Sequence, residues 1–167
     1  MSVLSPQPEP TADNSPTRSP PSFPLSERPK LCWAGEHEAP PLIKRRTRTF
    51  KHPELGEITR PYYMCTTCDS NKTNVFRNCG YPRGFVTWDD DIGLHSDNPR
   101  CYCGVPSRQD RKCRFTGLFG DGFWICASGA CGYYSDRKDG VPYDESKTWG
   151  DYDAFRPELL GGMPAFC

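Results

Sequence analysis

The sequence predicts a small, β-rich, metal-stapled protein in which two modules of short antiparallel strands follow a disordered N-terminal leader. Three observations support this prediction. Only 35% of the 167 residues are apolar, so the hydrophobic core is small. The chain holds 18 prolines and 15 glycines, which favour turns over long helices. It also holds 10 cysteines, and a chain with so small a core needs disulfides or metal to fold stably.

The leader is predicted over residues 1–30, which hold eight prolines, six serines and almost no spaced apolar residues. Such a segment buries too little apolar surface to offset its conformational entropy. The chain shows neither the apolar run of a secretory signal nor the roughly 20 apolar residues of a membrane span. We therefore expect an intracellular protein without membrane attachment, in a reducing compartment where metal is favoured over disulfides.

Short apolar and aromatic runs bounded by Gly, Pro, Asn or Asp predict strands and turns after the leader. A degenerate repeat divides them into module 1, residues 31–97, and module 2, residues 98–136, before an acidic C-terminal tail, residues 137–167. Each repeat has a ligand pair, a hairpin-like stretch, aromatics running into a cysteine, a further cysteine and more aromatics. A repeat of this kind keeps a metal site together with the surface beside it.

The metal site of module 2 is predicted from two close cysteine pairs. Cys101 and Cys103 occur in CYCG, and Cys126 and Cys131 follow about 22 residues later in CASGAC. Two close pairs at such a separation are typical of a tetrahedral Cys₄ zinc site. Cys113, which lies between the pairs in a basic run, is expected to be a free thiol.

The metal site of module 1 is less regular. Cys65 and Cys68 form a C-x2-C knuckle, and Cys32 and His37 in CWAGEH supply the opening pair, although an exposed, non-ligating His37 remains an alternative. Cys79 competes with Cys68 for the last position, and spacing leaves this choice open. We therefore predict two zinc ions per chain. Two further histidines, His52 and His95, are expected at the surface.

A nucleic-acid interface is predicted from aromatic pairs beside a basic run. Neighbours on a strand point to opposite faces, so one member of each pair is expected to be exposed. Exposed aromatics beside basic residues provide a stacking platform for single-stranded nucleic acid. The predicted contact residues are Tyr62 and Tyr63 with Lys44, Arg45, Arg46 and Arg48. The basic run KRRTRTFK is compatible with a nuclear import signal and equally with a hairpin strand.

The segments CWAGEH, KRRTRTFKH, TRPYYMC and CGYPRGFVTW, followed by a second copy in CYCG, GDGFWIC and ACGYYSD, resemble the GRF-type zinc finger. The chain resembles tandem GRF-like zinc ribbon proteins more closely than a single GRF-type finger, over about residues 31–136, although the family's Gly-Arg pair is missing from both copies. The resemblance implies zinc-ribbon-like modules that bind nucleic acid, mainly single-stranded DNA, often as accessories to a catalytic domain.

An enzyme is not expected. No nucleophile stands with a positioned base, and a catalytic zinc keeps an open coordination position whereas four ligands are predicted for each module. The competing prediction is a structural zinc module that mediates protein–protein interaction. Neither reading includes a small-molecule substrate.

Overall fold

The computed structural model describes residues 18–33, 37, 39–68, 79–113, 120–142, 145 and 149–166. They form two three-stranded antiparallel sheets and one turn of 3₁₀ helix, so the predicted fold class is confirmed. The first sheet contains β1 (Ile43–His52), β2 (Gly56–Cys65) and β3 (Phe85–Trp88); the second contains β4 (Arg108–Arg111), β5 (Gly122–Ile125) and β6 (Tyr134–Ser135); the 3₁₀ turn is Pro157–Leu159. No helix among these residues has the length and apolar character needed to cross a membrane.

The two sheets share one topology. In each, the strands lie in chain order and the second strand is central. In both modules one predicted ligand pair precedes the first strand and the other begins at or directly after the end of the central strand, which places the two pairs of a module at the same end of its sheet. The sequence repeat is therefore a repeat of strand order as well as of cysteines.

The β1–β2 hairpin is the longest regular element. Its strands pair over all ten residues, from Ile43 opposite Cys65 to His52 opposite Gly56. The three-residue loop ends at Gly56, whose φ of 77° is the left-handed conformation that such a loop requires. His52 Nδ1 accepts the backbone N–H groups of Glu54 and Leu55, both at 3.1 Å. His52 is buried, so its predicted surface position is wrong, whereas His95 is exposed as predicted.

One aromatic core joins the two sheets. Phe85 and Trp88 of β3 belong to the same cluster as Phe123 and Ile125 of β5. The C-terminal segment completes it, because the ring of Phe166 lies 5.1 Å from that of Tyr62 and 5.6 Å from that of Trp88. Aromatic contacts such as the edge-on pair of Phe166 and Tyr62 stabilise the packing beyond area burial alone. The two modules are thus packed into a single folded unit.

The segment before module 1 covers the other face of the first sheet. Of the predicted leader, residues 1–17 lie outside the described residues, and residues 18–30 contain no helix or strand. Leu25 nevertheless packs on a cluster that includes Tyr63 and Val86, and its N–H donates to Asp89 Oδ1 at 2.6 Å. Because both faces are covered, Tyr62 and Tyr63 are each less than a tenth exposed.

The prediction that one aromatic of each pair is exposed is therefore wrong. In the second sheet Phe123 and Trp124 are both buried, and in the third pair Tyr133 is buried and Tyr134 is half-buried. Alternation along a strand exposes one residue of two only where one face of the sheet meets water. Here the leader segment, the C-terminal segment and the facing sheet leave the central strands covered on both sides.

A buried network of hydrogen bonds and an ion pair connects the two sheets. The guanidinium of Arg108 donates to Asp90 Oδ1 at 3.1 Å, to the Ile92 carbonyl at 2.6 Å and to the Trp88 carbonyl at 3.2 Å. Burial lowers the pKa of Arg108 to about 10. Asp110 accepts hydrogen bonds from the Tyr81 hydroxyl at 2.8 Å and the Trp88 indole at 2.7 Å, and burial raises the pKa of its carboxyl.

Candidate metal centres

The second metal centre is formed by Cys101, Cys103, Cys126 and Cys131. Their sulfur atoms all lie within 4.8 Å of one another. Cys126 Sγ is 3.8 Å from Cys101 Sγ and 4.0 Å from Cys103 Sγ. The two cysteine pairs predicted from spacing are therefore brought together in one cluster, with the first pair entering from the segment before β4 and the second from the end of β5.

Tight turns aim these cysteines. The Gly104 N–H donates to the Cys101 carbonyl at 2.9 Å, and the Cys101 N–H donates to the Val105 carbonyl at 3.0 Å. At the other pair, Gly129 has a φ of 66°, and a Cβ there would stand 2.8 Å from Val86 Cγ1. Glycine is required at this position because its backbone conformation is left-handed and because a side chain would collide with Val86 of β3.

The first metal centre is formed by Cys32, His37, Cys65 and Cys68. Cys32 Sγ lies 3.3 Å from Cys68 Sγ, and His37 Nε2 lies 3.5 Å from Cys65 Sγ and 3.6 Å from Cys68 Sγ. The structure thus brings His37 and Cys68 together with Cys32 and Cys65, and leaves Cys79 outside this centre. Cys79 is fully buried in the aromatic core, and its carbonyl accepts the N–H of Cys113 at 2.9 Å.

The spacing of the ligand atoms fits tetrahedral metal coordination. Zinc bonds of about 2.3 Å to sulfur and about 2.05 Å to nitrogen give tetrahedral edges of roughly 3.8 Å for S···S and roughly 3.6 Å for S···N. The two S···N distances of 3.5 and 3.6 Å match these edges, and the S···S distances of 3.3, 3.8 and 4.0 Å lie on either side of the expected value. In a disulfide the two sulfur atoms would be bonded at a distance of about 2.05 Å. All seven cysteines of the two candidate centres are free thiols.

In each centre, the ionisation of one thiol makes the ionisation of its neighbours less favourable. Hydrogen bonds from Cys101 and Cys131 lower the pKa of Cys126, and the same contacts raise that of Cys101. Burial, followed by the charge of Cys126, raises the pKa of Cys103 to about 12. In the first centre, burial and the contact with Cys32 raise the pKa of Cys68 to about 12. A divalent cation removes this conflict, because it allows every coordinating thiol to be a thiolate.

Cys113 has a different role from the one predicted. It is buried and disulfide-bonded, so the expectation of a free thiol is wrong. Spacing from other cysteines gave no sign of this bond, because Cys113 has no close partner in the sequence. The nine described cysteines thus comprise one in a disulfide and eight free thiols, seven of which lie in the metal centres.

The four predicted basic contact residues lie on β1, an edge strand, and all are exposed. Lys44, Arg46 and Arg48 share one face and Arg45 points to the other. Arg45 Nε donates to Asp89 Oδ2 at 2.6 Å, and the guanidinium of Arg48 stands 4.6 Å from the centre of the Phe166 ring. Within the described residues, Lys44 and Arg46 form no ion pair. The aromatics predicted to join them, Tyr62 and Tyr63, are opposite Arg46 and Arg45 on the neighbouring strand β2, but both are buried.

Two hydroxyl residues that contact the candidate ligands were missed by the sequence analysis. Thr67 Oγ1 lies 2.9 Å from Cys65 Sγ, and Ser128 Oγ lies 3.5 Å from Cys126 Sγ. The sign that could have revealed them is a hydroxyl residue two positions after the cysteine that ends or directly follows the central strand, in CTT and CAS alike. Comparison with models of protein families, with curated proteins and with solved structures finds no match to this chain.

Proposed function

We propose that this chain is a non-catalytic module with two structural zinc ions that binds nucleic acid through the cations of β1. Zinc is favoured because thiolate-rich tetrahedral sites, Cys₄ and Cys₃His, are its usual structural environments. A non-catalytic role is favoured because four protein ligands surround each centre and leave no coordination position for a substrate.

The observation that carries the nucleic-acid proposal is the row formed by Lys44, Arg46 and Arg48. Alternate residues stand about 6.8 Å apart along an antiparallel strand, so the row presents three exposed positive groups on one face. Arg45 adds little, because it is held by Asp89. The resemblance to GRF-type zinc fingers supports single-stranded DNA as the ligand. With Tyr62 and Tyr63 buried, we expect phosphate contacts rather than base stacking to dominate the affinity.

Binding to a fluorescently labelled oligothymidine is expected to weaken steeply with salt. About three phosphate contacts on a single strand give a slope of log K against log salt near −2. The double substitution Arg46→Ala and Arg48→Ala removes two of the three cations and should flatten the slope to about −0.7 while leaving two zinc ions bound. Fluorescence anisotropy at several salt concentrations and metal analysis measure both quantities.

The matched control removes two other exposed arginines, Arg83 before β3 and Arg111 at the end of β4. It has the same net charge as the test variant and should keep the original slope. Equal flattening in both variants would show that general charge, and not the β1 row, attracts the strand. Absence of binding at low salt by the folded, zinc-loaded protein would contradict the proposal.

A second candidate function, protein interaction, is favoured by the free edge of β1. The Asp89 N–H donates to the Pro61 carbonyl at 2.9 Å, so the backbone of Pro61 faces away from β1. Thr47, which pairs with Pro61, therefore directs its N–H and C=O outward. Such an edge can accept an extended peptide as an additional strand. The basic side chains of β1 select an acidic peptide and oppose pairing with a second copy of the strand.

The substitution Thr47→Pro separates the two candidates. Proline is tolerated on an edge strand where its missing N–H faces solvent, so the fold and the cations should remain. Loss of the outward N–H is expected to lower the affinity for a labelled peptide of alternating Glu and Val by about tenfold. The affinity for oligothymidine should stay unchanged. A variant that binds the peptide as tightly as the unmodified protein would exclude strand addition at this edge.

A further inference from the structure

We propose that Thr67 is a positioning residue of the first metal centre, because its hydroxyl joins two of the ligands, Cys65 and His37. Thr67 Oγ1 lies 2.9 Å from Cys65 Sγ and 3.3 Å from His37 Nδ1. The inference rests on the proposed zinc occupancy and adds to it a residue that orients the histidine ligand.

The distances define which nitrogen of His37 faces the ion. Nε2 lies among the sulfur atoms, 3.5 Å from Cys65 Sγ and 3.6 Å from Cys68 Sγ, whereas Nδ1 points to Thr67. When Nε2 binds a cation, the neutral ring carries its proton on Nδ1. That proton is donated to Thr67 Oγ1, and the hydroxyl hydrogen is then available to Cys65 Sγ. One hydroxyl satisfies both ligands because it accepts from one and donates to the other.

His37 depends on this contact for its orientation. It lies outside the helices and strands of the described residues, so no backbone ladder fixes the residue. Within those residues, Thr67 is the hydrogen-bond partner of Nδ1. The partners of a metal-ligating histidine set the tautomer and the ring direction, and their loss weakens metal binding. Thr67 thus holds the imidazole in the direction that the tetrahedral centre needs.

The second centre provides an internal comparison. Ser128 occupies the position that corresponds to Thr67, two residues after Cys126, but among the described residues its hydroxyl contacts Cys126 Sγ alone, at 3.5 Å. All four ligands of that centre are cysteines, so there is no imidazole to orient. We therefore expect the hydroxyl to matter more in the first centre than in the second.

The test replaces Thr67 by Val, which keeps the shape of the side chain and removes the hydroxyl. Zinc affinity of the first centre is expected to fall about 10–100-fold, measured in the full chain by competition with a chromophoric chelator, while the second centre keeps its affinity. Thr67→Ser should restore the affinity. Thr66→Val is the matched control, because the Thr66 hydroxyl bonds the Leu42 carbonyl at 3.0 Å and no ligand.

A spectroscopic measurement separates orientation from general stability. Cobalt in the first centre should show altered d–d absorption bands in Thr67→Val and the original bands in Thr67→Ser and Thr66→Val. Equal zinc affinity in the unmodified protein and Thr67→Val would overturn the role of Thr67 alone, as would failure of Thr67→Ser to restore it. An unmodified protein that binds one metal ion, at the second centre only, would overturn the zinc assignment of the first centre as well.

Discussion

Removal of both metal ions with a chelator is expected to unfold the whole protein. A structural zinc ion contributes on the order of 10–16 kcal/mol of apparent binding free energy, whereas the net stability of a domain is about 5–15 kcal/mol. The free energy lost with either ion is therefore larger than the remaining contacts are expected to offset. Without metal, the crowded sulfurs of the second centre cannot all ionise, because the pKa values of Cys101 and Cys103 are raised.

The unfolding is expected to occur in one step, although the centres belong to different sheets. Trp88 of the first sheet and Phe123 of the second lie in one core, and Thr87 Oγ1 donates to the carbonyl of Ala127 beside the second centre at 3.1 Å. The substitutions Cys68→Ser and Cys126→Ser, each of which disables one centre, should therefore both abolish the near-ultraviolet circular dichroism of the buried tryptophans Trp88 and Trp124.

Metal analysis and circular dichroism of the same samples provide the measurement. Less than one zinc per purified chain, or a native near-ultraviolet spectrum in excess chelator, would contradict the two-zinc proposal. Retention of half the signal in either cysteine variant would instead show that the modules fold independently. Refolding on addition of zinc, with magnesium as the control ion, tests that the effect is specific to the metal.

The second large effect is expected for Arg108→Ala, which should destabilise the zinc-loaded protein by about 2–5 kcal/mol, because it truncates a large buried side chain and removes its hydrogen bonds to buried acceptors. The guanidinium is fully buried and binds Asp90 together with the carbonyls of Trp88 and Ile92. Its removal takes a donor away from each of these acceptors, although Asp90 keeps its ion pair with Arg60. Urea unfolding at a fixed excess of zinc measures the change with the metal contribution held constant.

Arg111→Ala is the control for this experiment. Arg111 lies on the same strand but is exposed, and its guanidinium stands 5.4 Å from the Phe155 ring centre, so about 0.5–1 kcal/mol is expected. Arg108→Lys retains the charge without the planar fork of donors and should remain clearly destabilised. Equal stability of the two alanine variants would show that the buried network does not fasten the sheets.

Most of the second metal centre was predictable from the sequence because its ligands come in two close pairs. A tight turn holds the members of a pair together whatever the rest of the fold does, so only the meeting of the pairs depended on tertiary structure. The choice between Cys68 and Cys79 had no such local answer. Cys79 follows Cys68 by 11 residues, and it is packing into the aromatic core that takes Cys79 away from the first centre.

The sequence by itself determined the fold class, the repeat and the ligands of the second centre, because turn residues, strand-length runs and close cysteine pairs act over a few residues. Only the tertiary structure decided which surfaces meet water. Tyr62 and Tyr63 are both buried because Leu25 of the leader segment and Phe166 of the C-terminal segment cover opposite faces of one sheet. These contacts join residues far apart in the chain, and strand alternation carries no information about what packs on either face.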